Sequence, residues 1–139
     1  MLFRSIDEAQ ALYMKTLAGQ RRVLGLQHTH TLITMYNIGY LHLRRGRFAE
    51  AESTLRATLA LDRRVRGERH PSTLETEYTV ACVLARAGKR TEALGELRQI
   101  VDWGFAGADV AADSDLVSLH GDPEFGTIAA EVQHRRSAK

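Results

Sequence analysis

Arg21-Arg22-Val23-Leu24-Gly25-Leu26-Gln27-His28-Thr29-His30-Thr31-Leu32-Ile33-Thr34-Met35-Tyr36 returns 42 residues later as Arg63-Arg64-Val65-Arg66-Gly67-Glu68-Arg69-His70-Pro71-Ser72-Thr73-Leu74-Glu75-Thr76-Glu77-Tyr78. The register continues through Arg44/Arg86, Gly46/Gly88, Glu50/Glu92, Ala51/Ala93, Leu55/Leu97 and Arg56/Arg98, fifteen identities in all without a gap. It also reaches backwards, since Glu8, Ala9 and Leu17 precede Glu50, Ala51 and Leu59 by the same 42 residues. A fixed period of this size marks a stack of like units, each burying its apolar face on its neighbours. The chain therefore divides into a half repeat (6–25), two repeats (26–67 and 68–104) and a remainder (105–139), all within one domain spanning 1–139.

Within each period the apolar residues fall at helical spacing, as in Leu32, Met35, Ile38 and Leu41, then Ala51, Leu55 and Leu59. Two helices per repeat follow. Helix A closes at Gly46 or Gly88, where positive φ turns the chain; helix B closes at Gly25 or Gly67 after arginines that suit the negative end of the helix dipole. Two signals for the start of the second helix A differ by about two residues: Pro71 fits a first-turn position, whereas Ser72 and Glu75 have capping-box spacing. Small residues at Gly39/Ala81 and Ala9/Ala51/Ala93 allow paired helices to approach closely, with Leu55 and Leu97 filling the space beside them.

These features together resemble the tetratricopeptide repeats, in the 42-residue variety of kinesin light chains. The carrying residues are Asn37-Ile38-Gly39, Gly46-Arg47-Phe48 with Glu50-Ala51-Glu52, and the junction Arg63 to Leu74. Thr79 and Arg90 depart from the usual asparagine and aromatic. The resemblance covers about residues 6 to 104 and implies an all-α, α-α superhelix of helix-turn-helix repeats.

Beyond it the chain reads as an acidic linker and a capping helix. Asp122 is a good N-cap, Pro123 suits the first helical position, and Phe125, Ile128, Ala129 and Val132 form an apolar stripe. The spacing predicts a helical turn at 115–120 and a helix at 123–135. Trp103, Phe105, Leu116, Leu119, Phe125 and Ile128 are expected to cover the open end of the stack. At the other end, the helix over about residues 6 to 23 lacks a preceding helix A. Its Ala9, Tyr13 and Leu17 are expected to stay partly uncovered, favouring a weak homodimer through this N-terminal helix.

A chain of 139 residues, 44% hydrophobic and 26% charged with two prolines, has the balance of a folded domain rather than a disordered or fibrous one. No apolar run approaches the roughly 20 residues of a membrane span. The start lacks the features of a secretory signal, Met1 to Ser5 fit no repeat position, and the lone Cys82 has no cysteine to pair with, so the expected compartment is the cytoplasm. The net charge of +2 hides an asymmetry: residues 1 to 98 carry 16 basic and 10 acidic side chains, whereas residues 99 to 134 carry seven acidic and no Lys or Arg.

Little points to catalysis or metal. Glu50/Glu52 and Glu75/Glu77 are two apart on helices and face different ways. No phosphate-cradling loop or nucleophile elbow occurs, and the histidines lack further ligands at workable spacing, so no enzyme activity, cofactor or metal is expected. His28 and His70 share the inter-repeat turn and read as structural, and Cys82 reads as a small buried hydrophobe. The arginine clusters at helix ends could meet phosphates, but the acidic remainder opposes this, so no nucleic acid is expected.

What remains is the surface made by stacking. The resemblance implies that helix A lines the inner wall, and Tyr36, Asn37, Tyr40, Arg44, Tyr78, Thr79 and Arg86 share that face by their spacing. Rigid rings, an amide and guanidinium forks suit an extended, acidic peptide, so the reading is a protein-interaction module with a protein or peptide partner. The tyrosines could instead pack between neighbouring A helices. The other functional reading is a spacer or self-association segment of a larger regulatory protein with no ligand in its groove. An open Tyr/Arg groove favours the first; a groove filled by the remainder of the chain favours the second.

Overall fold

The computed structural model describes residues 6–23 and 29–138. It contains α1 (Ile6–Val23), α2 (Thr29–Arg44), α3 (Phe48–Val65), α4 (Pro71–Arg86) and α5 (Arg90–Asp102), then a 3-10 helix (Ser114–Leu119) and α6 (Pro123–Ser137). No strand occurs among the described residues. Each α-helix from α1 to α5 packs on the next, and α2 also meets α4. This is an all-α superhelix in which α2 and α4 are the A helices and α1, α3 and α5 the B helices.

The turns follow the glycines. Gly46, Gly67 and Gly88 hold φ of 75°, 98° and 81°. At the end of α2, Gly46 N–H donates to Leu43 O and Arg47 N–H to His42 O; Gly88 and Lys89 repeat the pattern with Ala85 and Leu84. That pair of bonds satisfies carbonyls left over by the helix, and it needs a residue at ease with positive φ. Gly25 and His28 lie outside the described residues. At α4 the proline signal prevails: His70 is the N-cap, its ring Nδ1 accepting from Ser72 N–H at 3.1 Å. Ser72 is already inside the helix, where its carbonyl accepts from Thr76 Oγ1.

Close packing of A on B rests on the small residues. A Cβ on Gly39 would stand 2.6 Å from Leu55 Cγ. Ala51, Ala81, Ala93, Leu55 and Leu97 are completely buried. Most of the core is one cluster running from Leu43 through α3, α4 and α5 to Val132, while Leu17, Leu32, Met35 and Ile38 form a smaller one at the N-terminal end.

The residues after α5 close the stack. Asp113 caps the 3-10 helix by accepting from Asp115 N–H, and Asp122 caps α6 by accepting from Glu124 N–H. Phe105, Val110, Leu116, Leu119, Phe125, Ile128 and Val132 are buried, whereas Trp103 is half-buried beneath the Arg69 guanidinium, 5.3 Å from its ring centroid. Arg135 donates to the carbonyls of Val101 and Phe105 at the end of α5.

The N-terminal helix differs from its expectation. Ala9 and Leu17 are buried, with Leu17 seated among Leu32, Met35 and Ile38 of α2. The following helix A covers the stripe that a second chain was expected to cover. Tyr13, which occupies the position of the wholly buried Leu55, is only partly buried, and Leu12 and Met14 are large apolar residues of α1 that stay exposed.

Gly39→Ala should destabilise the protein. Alanine gains about 1 kcal/mol of helix propensity, but displacing the fully buried Leu55 costs about 1–3 kcal/mol. A lower urea midpoint at unchanged m-value is expected; an equal or higher midpoint would mean that Leu55 yields freely.

Candidate functional site

The predicted groove residues lie along α2 and α4, which are in contact with each other. Tyr36 and Thr79 join the two helices, hydroxyl to hydroxyl at 2.8 Å, while Thr79 also donates to Glu75 O. Burial pushes the Tyr36 phenol up to about 12, against the effect of the Thr79 bond, so it remains a protonated partner. For Tyr36, packing between A helices is the observed arrangement. Tyr40 stacks on Tyr36 with centroids 6.4 Å apart, carries the Arg44 guanidinium 5.1 Å from its ring centre, and remains 40% exposed. Asn37 is half-buried beside them.

The other three meet the chain's own acidic remainder. Asp115 lies between the two repeat-related arginines: Arg44 donates to Oδ2 at 2.5 Å and Arg86 to Oδ1 at 2.9 Å. Both oxygens of one carboxylate are thereby engaged. Burial draws the Arg44 guanidinium down, but the hydrogen bond and charge of Asp115 outweigh it and hold it above its ordinary value. Arg86 also lies over the Phe48 ring at 5.4 Å. Tyr78 stacks on Phe105 with centroids 5.0 Å apart and donates its hydroxyl to Asp113 Oδ2. Ser118 donates to Ala85 O, and Arg90 donates to Ser118 O. The arginine end of the groove is thus filled by residues 113–118.

Cys82 lies beside this contact, with its sulfur 3.9 Å from Asp113 Oδ2, and with Asp113 and Asp115 it brings three potential metal-ligand atoms together. The chemistry there does not suit a cation. Burial, then the charges of Asp113 and Asp115, push the Cys82 thiol well up, so it stays protonated. Asp115 is already neutralised by two guanidinium groups, and Asp113 serves Tyr78 and a backbone N–H.

The opposite end of the groove is different. A cavity of about 200 Å³ opens between the N-terminal parts of α2 and α4, lined by Leu32, Ile33, Tyr36, Asp62, Ser72, Glu75 and Thr76, with Arg66 at its side. Asp62, on α3, is 2% exposed. Its Oδ2 accepts from Thr76 Oγ1 at 2.8 Å, but its buried Oδ1 has no hydrogen-bond partner, and the nearest cation, Arg66 Nη1, is 3.8 Å away. Burial pushes the Asp62 carboxyl up, opposed by Thr76 and by the charges of Arg66 and His70. Beside it Arg63 pairs with the wholly buried Glu77 at 2.5 Å.

The sequence did not reveal Asp113, Asp115 or Asp62 as participants. A signal for the first two existed in the charge asymmetry, because a strongly acidic segment following a basic body has an electrostatic partner within reach. Asp62 had none, since no charge lies at the corresponding place in the first half repeat, where Gln20 stands.

The Tetratricopeptide repeat family model matches residues 4–63 and 31–102. Among solved structures, the fold resembles the nearly identical TPR-like repeats of a Podosopora anserina protein described as a kinesin light chain. The TM-score is 0.69 and the identity 21%, over 96% of this chain and 68% of that one. A singly substituted form of the same repeats gives 0.65 and 23%, over 96% of this chain and 61% of that one. No curated protein matches the chain. No helix among the described residues is long and apolar enough to cross a membrane.

The buried Asp62 generates a pH prediction. Its carboxyl holds a proton to higher pH when folded than when unfolded, so it costs stability as pH rises from about 4, the ordinary aspartate value, towards neutrality. Asp62→Asn removes that cost. The unfolding free energy of the wild type, relative to this variant, should therefore fall between pH 4 and 7; a difference that is flat or rises with pH would contradict the assignment.

Proposed function

The chain belongs to the tetratricopeptide repeat family, and from that premise we propose that it binds an extended, carboxylate-bearing peptide in its groove, in exchange with its own residues 113–118. The fold is a repeat scaffold whose family serves protein interaction rather than catalysis. One observation carries the finer reading: Arg44 and Arg86 already hold a carboxylate between them, one guanidinium on each oxygen. Charge-assisted bonds of this kind are the strong ones. Tyr78 adds a hydroxyl donor, and Tyr40 offers an exposed ring for the apolar part of a ligand. Because the clamp is occupied from within the chain, a peptide in solution binds only as well as it competes with a tethered rival, whose effective concentration is in the millimolar range.

The filled clamp also favours a second reading, a spacer or self-association segment with no ligand of its own. Self-association would use the exposed Leu12 and Met14 of α1, not Leu17, which is buried on α2.

A fluorescein-labelled peptide of residues 112–119, added in trans, separates the two. Asp113→Asn with Asp115→Asn weakens the internal contact while keeping an N-cap, since asparagine caps as well as aspartate. The peptide should bind this variant at least about tenfold more tightly than the wild type, a difference of about 1.4 kcal/mol. Adding Arg44→Gln and Arg86→Gln should abolish the gain. No binding to the released variant, together with a wild-type dimer that Leu12→Glu dissociates, would support the second reading.

A further inference from the structure

We propose that the cavity at the end of the groove left open by the acidic segment is a socket for a basic side chain, lysine or arginine, presented by a partner peptide. This extends the peptide-groove reading to the other half of the surface, and its test does not involve the arginine clamp.

Three features of the cavity converge on that ligand. The first is charge: Asp62 and Glu75 supply two carboxylates against the single guanidinium of Arg66, so a cation is the complementary guest. The second is an unmet acceptor. Asp62 is 2% exposed, its Oδ1 makes no hydrogen bond, and its ion pair with Arg66 is long, at 3.8 Å. A buried carboxylate oxygen without a donor is costly, and a ligand bringing an N–H donor relieves that cost only on binding. The third is shape. Leu32, Ile33 and Tyr36 form one wall, and Ile33 is 47% exposed, so a long aliphatic stem lies on apolar surface while its charged end reaches the acids. A volume of about 200 Å³ holds one such side chain and is below the 300–1,000 Å³ usual for drug-sized ligands.

Two neighbouring side chains bear on this acid. Arg63 bonds Glu77 and not Asp62. Thr76 shares its hydroxyl proton between Asp62 Oδ2, at 2.8 Å, and Ser72 O, at 3.1 Å, and so helps to fix that carboxylate.

The test is a nitrogen-15 NMR titration of the full chain with N-acetyl-arginine amide as the probe, and with N-acetyl-norleucine amide and N-acetyl-glutamate amide as controls. The arginine probe should give saturating shifts at amides of residues 31–36 and 72–76, with neither control doing so. Asp62→Asn, which keeps the acceptor for Thr76, should weaken the probe by about tenfold or more. Glu75→Gln, at an exposed position on the rim, should weaken it severalfold and guards against a folding defect in the first variant. Equal affinity in both variants, saturation by norleucine amide, or the absence of any saturable shift would overturn the proposal. Peptide 112–119 failing to bind would leave this result untouched, so the two readings fail separately.

Discussion

One carboxylate held between two arginines a repeat apart is the contact on which the arrangement of the groove depends. Asp115 is 8% exposed and gives one oxygen to Arg44 on α2 and the other to Arg86 on α4. With that residue fixed, the 3-10 helix lies against α4, Asp113 reaches the Tyr78 hydroxyl, and Leu116 and Leu119 enter the core. Because the carboxylate is buried, the contact is not a fully solvated surface bridge of the kind that contributes almost nothing. Two like-charged guanidinium groups would otherwise face each other along one groove, and the carboxylate between them offsets their repulsion.

The contact exists because of the 42-residue register. Equivalent residues of successive repeats occupy equivalent places on neighbouring A helices, so Arg44 and Arg86 project from those helices into the same space. Close A-on-B packing through Gly39 and Leu55 keeps the helices in that relation. The same register leaves the N-terminal half of the groove with a different character: there α3 contributes Asp62, and the acidic segment does not reach it. The groove thus has a cationic end, satisfied within the chain, and an anionic end that opens on a cavity.

The fold was legible because it is local and repeated. Glycines with positive φ, paired small residues and the Asp122-Pro123 start of α6 each carry their own signal within a few positions, and Gly46, Gly67, Gly88, Gly39 and Asp122 act where the sequence places them. The site was legible by half. The spacing puts Tyr36, Asn37, Tyr40, Arg44, Tyr78, Thr79 and Arg86 on one wall, but spacing within a helix says nothing about what lies opposite it. Tyr36 found Thr79, Tyr78 found Asp113, and both arginines found Asp115, a residue 71 positions from Arg44. Contacts at that separation depend on the path of the connecting chain, which periodicity does not encode. Cys82 and His70 behaved as their local settings required, the one buried and the other capping a helix.

A double-mutant cycle on Asp115 and Arg44 tests the central claim most directly, that the chain's own acidic segment closes the cationic end of the groove. Unfolding free energies of the wild type, Asp115→Asn, Arg44→Gln and the double variant give the coupling between the two side chains. The buried carboxylate predicts a coupling of about 1 kcal/mol or more, beyond what exposed pairs give. Additivity within about 0.3 kcal/mol, as expected of independent sites, would mean that Asp115 does not hold Arg44 and that the groove is open along its whole length.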